Sequence, residues 1–265
     1  MEPKVAVVTG GASGMGRIFA LRMARRGTKV AILDMNDEGL ANTAKESDNI
    51  KAYKCDTSNL LQVQETVKQV RDEVGYIDRL VQCAAIMPTA KLVDQPTELI
   101  NKMMAINYGG TVNMVKTIMP AMQDRRAGEI VIFGSIAGYV MAPDIGAYCA
   151  TKAATNAFGE VLIEENRGSG VQILLVCPPM VNTPLLNQAT QNSNPKNIRD
   201  SIEKGRLADP NFIIDEVEKS LINKTEILYP GAEAKIITWL RRFSPRLTWK
   251  IIHLSNKEDA APARA

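Results

Sequence analysis

Tyr148 and Lys152 lie four positions apart in the segment GAYCATKAATNAFGE, which has the pattern of an amphipathic helix. Residues at this spacing share one face of a helix, so the ammonium group is expected near the phenol. A free tyrosine has a pKa of about 10, and a neighbouring positive charge favours the phenolate. The pair can therefore serve as general base and general acid near neutral pH. The single histidine, His253, is not required.

The elements that would position this pair alternate along the chain. Strand patterns are predicted at 4–10, 29–34, 51–56, 79–85, 129–135, 171–178 and 226–230, and amphipathic helices at about 13–16, 36–47, 59–74, 97–124 and 147–167. Nearly continuous apolar strands are typical of parallel strands covered on both faces. The fold class predicted is α/β: a single Rossmann-like domain with a doubly wound, mostly parallel seven-stranded sheet and helices on both faces.

Composition limits the classes of function. With 45% hydrophobic residues, 23% charged residues and a net charge of +3, the 265-residue chain has the balance of a soluble globular protein, and nucleic acid is not an expected partner. The four cysteines, Cys55, Cys83, Cys149 and Cys177, form no C-x-x-C pair. They predict reduced thiols and a cytoplasmic location, with no metal site. We also expect no secretion signal and no membrane-spanning segment.

A glycine-rich turn follows the first strand. In TGGASGMGR, Gly10, Gly14 and Gly16 have the spacing G-x-x-x-G-x-G between a strand and a helix. Glycines let the backbone approach a pyrophosphate, whose charge then meets the free N–H groups at the start of the helix. Ser13 can add a hydroxyl donor. The turn therefore predicts a dinucleotide site, against the alternative of simple turn chemistry.

Asp34 ends the second predicted strand, 24 positions after Gly10. An acidic side chain at about this offset reaches the adenosine ribose hydroxyls and repels a 2′-phosphate. The next residues, Met35 and Asn36, supply no arginine for that phosphate. We therefore predict NAD rather than NADP. The alternative is that Asp34 only caps the helix expected from residue 36.

The chain resembles the short-chain dehydrogenase/reductase family to about residue 231. The motifs that carry the resemblance are TGGASGMG, DTS at 56–58, INYGG at 106–110, GSIAG at 134–138, YCATK at 148–152 and VNTP at 181–184. The resemblance implies an oxidoreductase that transfers a hydride between NAD(H) and a secondary alcohol or ketone. Tyr148 is then the general acid/base, Lys152 also binds the nicotinamide ribose, and Ser135 donates a hydrogen bond to the substrate oxygen.

Further roles follow from the resemblance. Asn107 is implied to distort its helix and to link Lys152 to solvent through a water, while Val181 and Thr183 hold the carboxamide. The cofactor contacts expected in full are Gly10, Ser13, Gly14, Met15, Gly16, Asp34, Asp56, Thr57, Cys83, Ala84, Ala85, Tyr148, Lys152, Pro178, Val181 and Thr183. The alternative for Asn107 and Thr183 is a helix-kink or turn role alone. The helices at 97–124 and 147–167 are implied to form a homodimer or homotetramer.

Two departures from the family pattern affect the cofactor side. The usual Asn-Asn-Ala-Gly run is QCAA at 82–85, so Cys83 and Ala85 replace an amide and a glycine. The usual Pro-Gly is Pro178-Pro179, which removes a backbone donor. Neither change touches a proton-transfer group, so they bear on cofactor affinity more than on the type of reaction. The alternative function is a non-catalytic NAD(H)-binding sensor or scaffold, although such proteins normally lose the tyrosine or the lysine.

The predicted substrate pocket is apolar and rich in methionine. Its candidate residues are Ile86, Met87, Val140, Met141, Met180, Leu185 and Leu186. Such lining suits a bulky hydrophobic alcohol or ketone, for example a steroid, terpenoid, aromatic or lipid compound. The same residues could instead pack a lid. The substrate loop is placed at 179–212, with a polar loop at 187–197.

The catalytic domain is assigned to 1–231 and a helical extension to 232–265. The extension has the pattern of two short amphipathic helices separated at Pro245, with apolar and basic residues interleaved. The first interpretation is packing over the substrate cleft or across a subunit boundary. The second is peripheral contact of 232–252 with an anionic membrane surface.

Overall fold

Seven parallel strands form the centre of the protein in the computed structural model, which describes residues 3–191 and 193–256. The strands are β1 (Val5–Thr9), β2 (Lys29–Asp34), β3 (Ile50–Lys54), β4 (Arg79–Gln82), β5 (Gly128–Phe133), β6 (Val171–Val176) and β7 (Ile227–Leu228). They pair in the order β3-β2-β1-β4-β5-β6-β7, and each of these pairings is parallel. The predicted Rossmann-like, doubly wound sheet is confirmed.

Helices cover both faces of the sheet. They are α1 (Gly14–Arg25), α2 (Asp37–Ala44), α3 (Leu60–Glu73), α4 (Thr97–Met104), α5 (Gly110–Asp124), α6 (Gly146–Glu165), α7 (Leu185–Gln191), α8 (Lys196–Glu203), α9 (Pro210–Ile222), α10 (Ala232–Phe243) and α11 (Pro245–Asn256). The first helix extends well beyond the predicted 13–16. Among the described residues, no helix is both long and apolar enough to cross a bilayer.

Two apolar clusters sandwich the sheet, because successive strand residues point to opposite faces. Val8 belongs to the cluster that includes Phe19 of α1, whereas Val7 belongs to the cluster that includes Met114 of α5. All four side chains are fully buried. This two-sided burial explains why the strands read as continuous apolar runs.

The ligand crevice of such a sheet forms where the strand order reverses, here between β1 and β4. The Thr9 hydroxyl joins these two strand ends. It donates to Gln82 Oε1 at 2.8 Å and accepts from the backbone N–H groups of Cys83 and Ala84, both at 3.1 Å. The chain beyond β4 is therefore held close to the glycine-rich turn.

The region after β6 differs from the prediction of a polar loop at 187–197. It is largely helical, in α7 and the start of α8. Leu186, Ala189 and Ile198 are buried in a third apolar cluster. These few apolar residues fix the helices, whereas the polar residues between them dominate the sequence pattern.

We expect Leu80→Ala to lower the free energy of unfolding by about 2–5 kcal/mol, because Leu80 of β4 is fully buried at the sheet centre. Leu61→Ala is the matched control, since this side chain on α3 is 70% exposed. It should change stability by less than about 0.5 kcal/mol. Urea denaturation of the three proteins measures both effects. Equal losses for the two variants would contradict the placement of β4.

Candidate active site

Helix α6 holds Tyr148 and Lys152 against the carboxyl end of β5. The Lys152 ammonium nitrogen donates to the carbonyl oxygen of Phe133, the last residue of β5, at 2.8 Å. It lies 5.8 Å from the centroid of the Tyr148 ring. Both side chains are buried. The spacing of four residues thus brings the two groups to one place, as predicted for one helix face.

Burial governs the protonation of both groups. It lowers the pKa of Lys152 from its usual 10.5 to about 8. It also raises the pKa of Tyr148, and the interaction that opposes this rise is a hydrogen bond with Ser135. Burial therefore has a larger effect on the pKa of Tyr148 than the lysine charge on which the sequence-based expectation rests. The buried phenol stays protonated at neutral pH.

Ser135 follows β5 and begins a short 3₁₀ turn, Ile136–Gly138. Its hydroxyl oxygen accepts from the Ala137 N–H at 3.1 Å. Because a hydroxyl has one hydrogen of its own, Ser135 can still donate to another oxygen. It stands beside Tyr148 in the wall of the same cavity.

Asn156, which the sequence analysis missed, holds the backbone of Ser135. Its side-chain Nδ2 donates to the Ser135 carbonyl at 2.9 Å, and its Oδ1 accepts from the Ser135 N–H at 3.3 Å. A Cβ atom at Gly134 would lie 2.0 Å from that Oδ1, and one at Gly138 would lie 2.4 Å from Nδ2. A polar residue four positions after Lys152, on the buried face of α6, was the available signal.

Asn107 lies in a π-helical turn, Ala105–Gly109, that separates α4 from α5. The predicted single helix at 97–124 is therefore interrupted. The Asn107 side chain accepts from the Ile86 N–H at 2.8 Å and donates to the Ile86 carbonyl at 2.9 Å. It also donates to Thr151 Oγ1 at 3.0 Å, which joins the chain beyond β4 to α6. These bonds give Asn107 a structural role, and the water relay stays a prediction.

The glycine-rich turn packs so closely against neighbouring backbone that side chains at Gly10 and Gly16 would collide with it. Gly10 has a φ of +68°, and a Cβ there would lie 3.1 Å from the Ala84 nitrogen. At Gly16 a Cβ would lie 2.3 Å from the Gly10 carbonyl oxygen. Ser13 occupies the N-cap position of α1, and its side chain does not cap the helix. The turn thus presents backbone and the start of α1 to a ligand, which fits a pyrophosphate.

Asp34 lies at the end of β2 beside this turn. One carboxylate oxygen accepts from the Ala12 N–H at 3.2 Å, and the other accepts from the Asn36 N–H at 3.0 Å. The helix-capping alternative is wrong, because the side chain that caps α2 is Asn36, which accepts from the Gly39 N–H. Two backbone donors orient the Asp34 carboxylate and leave lone pairs for a hydroxyl ligand.

Two cavities meet in the crevice. We call the one of about 540 Å³ at the glycine-rich turn the glycine-side cavity, and the one of about 280 Å³ at Tyr148 the tyrosine-side cavity. The predicted cofactor residues in the glycine-side cavity are Gly10, Ser13, Gly14, Met15, Gly16, Asp34, Asp56, Thr57, Cys83, Ala84, Ala85 and Thr183. Tyr148, Lys152, Pro178 and Val181 line the tyrosine-side cavity.

The residues shared by both cavities are Met15, Cys83, Ala85, Thr183 and Leu185. The cleft is therefore continuous, and the two departures in QCAA lie at its joint. Burial raises the pKa of the Cys83 thiol to about 12, so this thiol is protonated. Ala85 carries a methyl group at this joint, where the family pattern has a glycine.

Six of the seven predicted substrate residues line the tyrosine-side cavity: Met87, Val140, Met141, Met180, Leu185 and Leu186. Ile86 lines the glycine-side cavity instead. Successive residues of an extended segment point to opposite sides, so Ile86 and Met87 separate. Ile145, Ile198 and Ile252 complete the apolar wall and were missed, since folding brings them from α8, α11 and the segment before α6.

Hydrogen bonds join the substrate loop to the segment that follows β4. Gln188 of α7 accepts from the Met87 N–H at 2.8 Å, and the Thr89 hydroxyl donates to the Ala189 carbonyl at 2.9 Å. Ser193 donates to the Thr89 hydroxyl at 2.9 Å. These partners lie about a hundred positions apart, so no local pattern could have indicated them.

A model of the short chain dehydrogenase family matches residues 4–194. The chain belongs to this family. Homo sapiens epidermal retinol dehydrogenase 2 is 27% identical over 257 residues, which cover 94% of this chain and 81% of that protein. Estradiol 17-beta-dehydrogenase 11 of Rattus norvegicus is 25% identical over 249 residues, which cover 91% of this chain and 80% of that protein.

The fold of this short-chain dehydrogenase also matches solved structures. A Burkholderia phymatum short chain dehydrogenase/reductase, solved in complex with NAD, has a TM-score of 0.83 and 22% identity and covers 100% of this chain and 99% of its own. Family membership makes the protein an oxidoreductase that acts on CH–OH and C=O groups with a nicotinamide dinucleotide. The glycine-rich turn and the continuous cleft fit such a cofactor.

The buried lysine should make stability depend on pH. Unfolded Lys152 keeps its proton to about pH 10.5, whereas the folded form loses it above about pH 8. Between these values the unfolded chain binds more protons, so the contribution of Lys152 to stability rises with pH. The gap in free energy of unfolding between the wild type and Lys152→Met should therefore shift in favour of the wild type by on the order of 2 kcal/mol from about pH 8 to pH 10.

Urea denaturation at several pH values measures this gap. The control is Lys45→Met, since Lys45 lies exposed at the end of α2. Its gap to the wild type should not change over the same range. A constant gap for Lys152→Met would mean that the folded protein keeps this lysine charged throughout.

Proposed function

We propose that this dehydrogenase transfers a hydride between NAD(H) and a bulky hydrophobic secondary alcohol or ketone, with Tyr148 as the general acid/base. The observation that carries the proposal is the position of Tyr148, Ser135 and Lys152 in the wall of one apolar cavity that continues into the glycine-side cavity. The nicotinamide, when bound, supplies or accepts the hydride. The protein must then handle one proton.

Tyr148 is suited to that proton transfer. Its protonated phenol is the form that donates to a ketone oxygen, and Ser135 is placed to donate a second hydrogen bond as charge develops there. For alcohol oxidation the phenol must first lose its proton. The Lys152 charge at 5.8 Å from the ring and the hydrogen bond from Ser135 both favour that loss. Asn107 is proposed to hold a water that links Lys152 to solvent and passes the proton onward.

The choice of NAD over NADP rests on Asp34. Its carboxylate faces the glycine-side cavity next to Met35 and Asn36, so a 2′-phosphate at this end would meet a negative charge. Arg17, on the adjacent turn of α1, pairs with Glu46 at 2.8 Å rather than lining the cavity. Backbone donors hold the Asp34 carboxylate in place, and its remaining lone pairs are proposed to accept from ribose hydroxyls.

The substrate class rests on the cavity wall. Carbon and sulfur side chains dominate the lining, and its polar side chains are Tyr148, Ser135 and Lys152 together with Thr183 and Asn197. Such a cavity favours a ligand with one oxygen function on a large apolar body. The names of two relatives refer to retinol, a primary alcohol, and to estradiol, which has a secondary alcohol, and both compounds have large apolar bodies.

The quaternary structure and location are also proposals. We infer a homodimer or homotetramer through α4, α5 and α6, and a cytoplasmic location, which four free cysteines support. One observation supports the sensor or scaffold alternative. Ala85 and Pro179, which depart from the family pattern, line the tyrosine-side cavity. It requires NAD(H) binding without turnover.

Tyr148→Phe should lower kcat by about 10²–10⁴-fold, because it removes the proton-transfer group and keeps the ring. Dissociation constants for NAD and NADH, measured by fluorescence, should stay near wild type. The control is Tyr76→Phe, since Tyr76 is 69% exposed. The assay follows NADH absorbance with a panel of hydrophobic secondary alcohols and ketones. Unchanged turnover in Tyr148→Phe would exclude Tyr148 as the general acid/base. If the wild-type protein binds NAD(H) but turns over no compound of the panel, the sensor function is favoured.

Asp34→Ser combined with Met35→Arg should reduce the preference for NAD over NADP by at least about tenfold, because it removes a negative charge and adds a cation for the 2′-phosphate. The measurement is the ratio of kcat/KM for the two cofactors. Asp37→Ser is the control, since Asp37 lies nearby on α2 and pairs with Lys54. A wild-type preference for NADP would contradict the role of Asp34.

A further inference from the structure

The two C-terminal helices expose a row of large apolar side chains. Those on α10 and α11 are Ile236, Trp239, Phe243, Leu247, Ile251 and Leu254, with exposed fractions between 42% and 66%. Single exposed apolar residues are ordinary on a protein surface, whereas a contiguous set marks an interaction surface. We call this set, with the basic residues among it, the outer face.

The spacing places these residues on one side of each helix. On α10, Ile236, Trp239 and Phe243 follow one another at three and four positions, and the rings of Trp239 and Phe243 lie 4.8 Å apart. On the opposite side, Ala234 of α10 and Thr248 of α11 are fully buried. Both helices are therefore amphipathic, with one face against the protein and one toward the surroundings.

Charge identifies the partner. Exposed basic residues lie among the apolar ones: Lys235, Arg242, Arg246 and Lys250. Within α10 and α11 the acidic residue is Glu233, at the first turn. A second copy of the chain, docked face to face across a two-fold axis, would bring like charges together. An apolar surface with interleaved cations instead matches a bilayer with anionic headgroups.

The inner side of the same helices forms part of the substrate site. Ile252 of α11 lines the tyrosine-side cavity. Trp249 lines an adjoining groove together with Leu92 and Met141, and Met141 belongs to both the groove and the cavity. Arg241 of α10 lies over the Trp249 ring at 5.5 Å and approaches the Met141 sulfur at 3.8 Å.

The exposed surface continues around this groove. Leu92 is 58% exposed and Val93 is 90% exposed, in the loop before α4. The apolar surface thus extends from α10 and α11 to the loop that borders the groove. One wall of the substrate cavity therefore lies directly beneath the outer face.

We propose that the outer face binds the surface of an anionic bilayer, and that substrate dissolved in the lipid enters the tyrosine-side cavity beside α11 without crossing bulk water. The first half stands on the exposed side chains and charges alone. The second half rests on the proposed function, because it requires a lipophilic alcohol or ketone. Apolar burial supplies the attraction at short range, and the basic residues supply it at long range.

Tryptophan fluorescence tests the first half. The chain has two tryptophans, so Trp249→Phe leaves Trp239 as the one reporter. Vesicles of phosphatidylcholine with phosphatidylserine should shift its emission to shorter wavelength, and lipids brominated on the acyl chains should quench it. Vesicles of phosphatidylcholine alone should bind at least about tenfold more weakly. No shift, or equal binding to both vesicles, would overturn the proposal.

Variants locate the contact. Trp239→Glu combined with Phe243→Glu should weaken sedimentation of the full chain with anionic vesicles by at least about tenfold. The matched control combines Leu61→Glu with Ile222→Glu, two exposed apolar residues on α3 and α9. Equal binding by the two double variants would overturn the proposal. So would a change of oligomeric state in the first variant alone, because a second copy would then cover this face.

Kinetics test the second half. For a substrate dissolved in anionic vesicles, the Trp239→Glu/Phe243→Glu variant should show a KM at least about tenfold higher than wild type. For a short water-soluble ketone, its kcat and KM should match wild type. An unchanged KM for the vesicle-borne substrate would overturn the entry route. The vesicle-binding results need no turnover, so a failure of the proposed catalytic function remains distinguishable from a failure of membrane binding.

Discussion

Lys152 extends from α6 to the end of the sheet, where its ammonium group is almost completely buried and its hydrogen-bond acceptor is the carbonyl oxygen of Phe133. A buried cation is costly unless it is hydrogen-bonded, so α6 must lie close against the end of β5. That approach sets the small residues at Gly134 and Gly138, which leave space for the Asn156 amide. Asn156 in turn fixes Ser135, and one turn of α6 before Lys152 brings Tyr148 to the same wall. The geometry of the site thus follows from the position of the Lys152 ammonium group at the end of β5.

The sheet could be predicted from sequence because its residues are buried on both faces, and two-sided burial leaves an apolar run that local composition reveals. The same holds for the glycine-rich turn, where the contact at Gly16 excludes any side chain. Contacts between distant segments leave no such trace. The INYGG motif singles out Asn107, but not its bonds to the backbone of Ile86, and Gln188, which binds the backbone of Met87, looks like an ordinary surface polar residue until the fold is known. Helices α7 and α8 were missed because the few buried apolar side chains that stabilise them are outnumbered in the sequence by exposed polar ones.

The two cavities of the cleft differ in the kind of group that lines them. On the glycine side, the lining includes the backbone of the glycine-rich turn and the Asp34 carboxylate. On the tyrosine side, the lining comes mainly from methionines and aliphatic residues of several separate segments. Ile86 and Met87 mark the boundary, since neighbours in sequence face different cavities. Under the proposed function, substitutions on the tyrosine side would therefore change the substrate preference without changing the cofactor, whereas Ala85, which lines both cavities, would affect both.

Helices α10 and α11 meet different surroundings on their two sides, because a helical period of 3.6 residues turns adjacent positions in different directions. Ile252 lines the cavity, while Ile251, next to it, lies on the exposed outer face. Residues 195–265 also lie outside the part of the chain matched by the family model. Tyr148 and Lys152 lie on α6 and Ser135 follows β5, so this segment supplies part of the cavity wall without supplying the proposed proton-transfer groups.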